Sequence, residues 1–173
     1  MRFLPILAAV LVSTSMLVPA APAVAERVTA PDPAGDGLKG QALDVTSIKV
    51  MNRDHAIVTV ISFVRAAHGD MGVRFQTRDD RRREWAVVFT RHRAKGDRAL
   101  YGQYGEVHDC RGLRVTWDHE ADTARVRLPS HCFREGDYGA VHVKAITEIG
   151  SDADLAPKNP SGKWVWTPWV SRG

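Results

Sequence analysis

The stretch "CRGLRVTWDHEADTARVRLPSHC", residues 110–132, decides the fold class. Leu113, Val115 and Trp117 share one parity, and Ala124, Val126 and Leu128 share the other. Alternation with period two marks half-buried strands, and the polar "DHEAD" between the two runs marks a short hairpin loop. Residues facing each other across an antiparallel pair lie on one face of the sheet. Trp117 is therefore expected opposite Ala124, and Val115 opposite Val126. In that register Cys110 and Cys132 fall one residue out of step at the open end. Gly112 or Pro129 can end the ladder there or host a bulge, which leaves a Cys110–Cys132 disulfide feasible.

The same short period continues outward. "AIVTVISFV" (56–64) is apolar at both parities, as expected of an interior strand in a layered structure. "LDVTSIKVM" (43–51) precedes it, with "MNRDH" as the intervening turn. "MGVRFQT" alternates Met71, Val73 and Phe75. "WAVVFTR" alternates Trp85, Val87 and Phe89, read as a core face. "AKGD" (94–97) suits a hairpin turn, because Gly and Asp tolerate positive φ. "ALYGQY" is expected to pair back on the preceding strand. "YGAVHVKAI" places Val141, Val143 and Ala145 on one face, and "GKWVWTPWV" closes the chain as a last strand. No segment after residue 25 keeps a helical period. The expectation is an all-β, single-domain antiparallel sandwich of about nine strands over 43–173, with one disulfide. A Pro/Gly/Asp-rich lead-in over 26–42 precedes it.

Residues 1–25 read as a cleaved signal peptide. Arg2 is the positive start, Leu4 to Val18 is largely apolar, and Ala23-Val24-Ala25 is the cleavage pattern. The apolar run is short for a spanning helix, although an uncleaved anchor is the alternative. The product is expected to be secreted. An even pair of cysteines in an oxidising compartment reads as a disulfide rather than two thiols. The formal net charge of +4 is mild, so nucleic acid is not an expected partner.

Few residues look like chemistry. "PDPAGDG" (31–37) matches positions 1, 5 and 6 of an EF-hand loop with Asp32, Asp36 and Gly37. It fails at the bidentate position, occupied by Leu43. Asp32 and Asp36 are read mainly as turn residues capping backbone N–H groups. An irregular calcium site from Asp32, Asp36 and Asp44 is the alternative. Asp152 and Asp154 form a second acidic pair, read as a loop. His108, His119 and His131 flank the hairpin without zinc-site spacing and read as surface residues. No HExxH, CxxC or GxSxG pattern is present, and no enzyme activity is expected. Met51 and Met71 have no assignable histidine partner for haem.

Two features suggest ligand binding. Residues 74–98 hold nine Lys/Arg against four acids. Arg81, Arg82 and Arg83 project from a charged loop, and Arg91 and Arg93 share one strand parity. Sharing it also with Trp85, Val87 and Phe89, they imply that the strand leaves the core near Phe89. This basic region either meets an anionic polymer or is a solvated outer face. Trp164 and Trp166, placed on one strand face, either stack on sugars or close the core.

The opening Asp32-Pro33-Ala34-Gly35-Asp36 followed by "LDVTSIKV", the 110–133 hairpin and "WTPWV" resemble secreted actinobacterial β-sandwich proteins of unknown function. More distantly, the Asp-rich opening is similar to family 9 carbohydrate-binding modules and DOMON-like sandwiches. That resemblance implies a sandwich fold and, in some members, sugar, haem or calcium binding. The expected function is a non-catalytic extracellular or wall-associated module for a glycan or anionic polymer. The alternatives are a hydrolase with an unrecognised carboxylate site and a structural or partner-binding protein.

Overall fold

The structure is a computed structural model. It describes residues 26–37, 41–78, 85–103 and 106–173, together with the backbone but not the side chain of Trp85. Residues 1–25, expected to be a leader, and Arg81, Arg82 and Arg83 lie outside the described residues.

Among the described residues, eleven strands form two antiparallel sheets. The first holds β1 (Arg27–Pro31), β2 (Val45–Arg53), β3 (Ala56–Phe63), β9 (Thr123–Pro129) and β8 (Arg114–Asp118), in that order. The second holds β11 (Asp152–Ala156), β10 (Val141–Ile149), β4 (Gly69–Thr77), β5 (Trp85–His92), β6 (Arg98–Gln103) and β7 (Glu106–His108). The sheets pack face to face around one core. Ile48, Ile57, Ile61, Val126 and Leu128 meet Val73, Phe75, Val88, Val143 and Ala145, all inaccessible to solvent. Among the described residues, no helix is long and apolar enough to cross a membrane.

The hairpin at 110–132 forms in the expected register, with Trp117 opposite Ala124 and Val115 opposite Val126. Its ladder ends at Arg114 opposite Arg127, and Gly112 turns the chain at φ 86°. Cys110 and Cys132 then lie 5.4 Å apart at Cα and are bonded. Asp118 accepts the Glu120 and Ala121 N–H groups and so caps the turn.

Four expectations change. The lead-in contains a strand, because Arg27–Pro31 pairs along β2 and buries Ala30. "SDADLAP" is strand β11 rather than a loop, with Asp154 fully buried. In β5 the core side is Ala86, Val88, Thr90 and His92, while Phe89 is 54 % exposed. Both parities of that strand are apolar, so hydrophobicity could not phase it. The large neighbours Phe75 and Tyr101 need small partners on the inner side, and they pair with Ala86 and Val88 respectively. The strand therefore stays in the sheet, and Arg91 sits on its outer face.

The chain end is the fourth change, because "GKWVWTPWV" is no regular strand. β11 pairs with β10 only from Ala145 onward. Beside the other half of β10, Val170 exchanges two hydrogen bonds with Val141, and the Thr167 N–H donates to the Val143 carbonyl. Pro168 has no N–H to extend such a ladder. The tail is a strap that completes the sheet edge.

Candidate functional site

Cross-strand register builds a groove on the outer face of the second sheet. Ile146, Gly72, Phe89 and Leu100 stand opposite one another along one row across β10, β4, β5 and β6. The adjacent row is Glu148, Asp70, Arg91 and Arg98. Gly72 lets the Ile146 and Phe89 side chains close over its backbone. A Cβ there would meet Ile146 at 3.0 Å and the Phe89 ring at 3.3 Å. The result is a groove of about 360 Å³ with an exposed ring on its wall and a charged row along one side. A second recess of about 300 Å³ shares Asp70 and Glu148 and extends to His68 and Gly150.

The charged row is internally balanced. Arg93 Nη2 donates to Asp70 Oδ1 at 2.6 Å, and Arg91 Nε stands 4.0 Å from the same oxygen. Arg91 and Arg93 gather around a carboxylate that the sequence reading did not single out. The side chains of Arg91, Arg93 and Asp70 are 69 %, 47 % and 38 % exposed. They are free to exchange partners with a ligand at small cost.

Trp164 and Trp166 do not form a bare platform. They stand over β10 with Lys144 Nζ 3.7 Å from the Trp164 ring centre and 4.5 Å from that of Trp166. His142 stacks on Trp166 at 4.2 Å and on Trp169 at 3.7 Å. Arg78 lies over Trp169, and Trp164 Nε1 donates to the Ala156 carbonyl. Burial, with the Lys144 charge adding, pushes the His142 imidazole down to about 4. Burial, with Arg74 adding, also lowers Lys144. These tryptophans hold the strap onto the sheet by stacking and cation–π contact.

The opening loop packs against β11. Asp44 is fully buried and accepts the N–H groups of Gly35 at 2.5 Å and Gly37 at 3.2 Å. Asp32 accepts the Lys158 N–H at 2.5 Å. The converging carboxylates are Asp32, Asp36 and Asp154, whose ligand atoms lie within 4.8 Å of one another. Asp154, not Asp44, completes the cluster. Lys158 Nζ already stands 2.9 Å from Asp154 and 3.1 Å from Asp36. Burial opposes its charge, but hydrogen bonds to Asp154 and Asp36 outweigh it and raise the ammonium above its ordinary range. A calcium ion fits here only by displacing that ammonium. Burial also pushes the Asp32 carboxyl up to about 7, against the pull of the Lys158 N–H and with the Asp154 and Asp36 charges adding.

His108 and His131 are exposed and separate from His119, which lies instead beside His92 and His68. Sequence spacing carried no signal for that meeting, because the three residues lie far apart in the chain, two in strand connections and one at the end of β5. Compared with known proteins, the chain matches no family model, no curated protein and no solved structure.

Proposed function

We propose that this is an exported, non-catalytic binding module whose ligand is an anionic glycan lying in the groove over Phe89. The observation that carries the reading is Phe89 itself. A phenyl ring 54 % exposed on a sheet face costs apolar burial, and it leans over the Gly72 backbone on the groove wall. Such a ring suits the apolar C–H face of a sugar. Asp70 and Glu148 supply acceptors for sugar hydroxyls, while Arg91 and Arg98 supply donors for a carboxylate or phosphate substituent. Export fits the leader at 1–25 and the Cys110–Cys132 bond, since disulfides persist in oxidising compartments.

A hydrolase is the weaker reading. Asp70 and Glu148 face each other across β4 and β10, but acid–base cleavage of a glycoside needs one carboxyl kept protonated. Asp70 Oδ1 is instead already taken up as the acceptor of Arg93 Nη2 at 2.6 Å.

Affinity electrophoresis through gels containing cell-wall polysaccharides tests the proposal. An acidic glycan should retard the protein, with retention falling as salt rises. Phe89→Ala should weaken that retention about tenfold, equivalent to ~1.4 kcal/mol. Retention unchanged in Phe89→Ala, or no retention by any acidic glycan at low salt, overturns it.

A further inference from the structure

Three histidines, two from strand connections and one from the end of β5, meet at one end of the sandwich. His68 precedes β4, His92 ends β5, and His119 lies in the β8–β9 turn, so both sheets contribute. His92 Nε2 and His119 Nε2 face each other at 2.9 Å. The His68 ring centre is 4.8 Å from that of His92 and 6.2 Å from that of His119. We propose that His92, His119 and His68 form a binding site for a divalent transition-metal ion of the zinc or copper(II) class.

The rest of the cluster is arranged as such a site requires. Asp97 closes the 94–97 turn and places Oδ1 2.5 Å from His92 Nδ1. A carboxylate there holds the ring proton on Nδ1 and leaves the Nε2 lone pair pointing at His119. This carboxylate–imidazole pairing orients metal-binding histidines. Beneath it, His92 stacks on Trp117 at 4.5 Å and 10°, and Trp117 stacks on Phe63 at 5.7 Å. His92 is 8 % exposed and fixed by these contacts, whereas His119 and His68 are exposed and open to an arriving ion. At 2.9 Å the two nitrogens share a hydrogen bond, and its proton is what an arriving ion replaces. A tetrahedral ion at 2.0–2.1 Å from each nitrogen sets them about 3.3 Å apart, so the pair opens by about 0.4 Å from its 2.9 Å separation as both lone pairs turn onto the ion. The His68 nitrogens do not converge with the other two within 4.8 Å, so His68 supplies the third nitrogen only after rotation about its own side-chain bonds. Imidazole donors favour zinc and copper(II) over calcium or magnesium, which separates this site from the carboxylate cluster around Lys158.

The test uses the full chain without a polyhistidine tag, stripped with chelator and titrated at neutral pH with Zn²⁺ by calorimetry and with Cu²⁺ by electron paramagnetic resonance. Expected are saturation at one ion per chain and nitrogen hyperfine structure on the copper signal. The exposed variant His119→Asn should weaken binding by about tenfold or more, and Asp97→Asn by about tenfold. His108→Asn and Asp36→Asn should leave binding unchanged. Absence of saturable binding, or binding unaltered in His119→Asn, overturns the proposal. Loss of binding in His108→Asn instead does the same, since it places the ion elsewhere.

Discussion

Lys158 replaces an ion with a side chain. Its ammonium lies between Asp36 and Asp154, and its backbone N–H serves Asp32. One residue therefore holds the opening loop against β11. Removing one partner of a buried ion pair leaves uncompensated charge and costs about 3–5 kcal/mol. Lys158→Met should thus lower the melting temperature markedly, while calcium added to the chelated wild-type protein should leave its melting temperature unchanged. A wild-type shift of several degrees with calcium would show that the ion displaces the ammonium. Asp32 gives a pH signature of its own. Its carboxyl titrates near 7 when folded and near 4 when unfolded. Between those values the folded chain holds a proton that the unfolded chain releases. This contribution favours folding at low pH and is lost as pH rises through about 7. Asp32→Asn removes the dependence, so its melting temperature relative to wild type should rise from pH 5 to pH 8. A constant difference across that range would exclude the linkage.

At the scale of elements, the strap 163–170 is sensitive to acid through His142. His142 is held neutral between Trp166 and Trp169, near 4 when folded against about 6.5 when unfolded. Its contribution is complete above about 6.5 and is lost as pH falls from there through about 4. Tryptophan fluorescence followed from pH 7 to pH 4 should report release of the strap before global unfolding. His142→Phe keeps a stacking ring without a titrating group and should shift that transition to lower pH. An unchanged midpoint would detach the strap from His142. These elements also show what sequence pattern can carry. The 113–128 hairpin was readable to its register because its two faces differ, apolar against charged. β5 was readable as a strand but not in phase, because Ala86 and Val88 are as apolar as Val87 and Phe89. The strap read as a strand because Trp164 and Trp166 alternate, yet their partners are Lys144 and His142 on another strand. The groove gave no local signal. Gly72, Phe89, Leu100 and Ile146 form a row only once four strands are in register.

At the scale of the whole molecule, the disulfide braces the two places where the hairpin joins the other sheet. Cys110 lies between β7 of the second sheet and β8 of the first, and Cys132 lies between β9 of the first and β10 of the second. Both crossings are thereby tied at one point. β8 is the edge strand of its sheet, with residues that are exposed or only half-buried, so it depends on this tie more than the central strands do. A bond spanning 22 residues restricts the unfolded chain and stabilises by about 3 kcal/mol in the chain-entropy model. The double variant Cys110→Ser, Cys132→Ser should lose about that amount in urea unfolding, with the slope increasing because the unfolded chain expands. Hydrogen exchange should accelerate first in Arg114–Asp118 and least in β3 and β4. The groove is built by strands the bond does not join, so glycan retention through Phe89 should persist in the folded fraction. Equal acceleration across both sheets would mean that the bond supports the core as a whole rather than the hairpin crossings. Unchanged stability in the variant would refute the brace altogether.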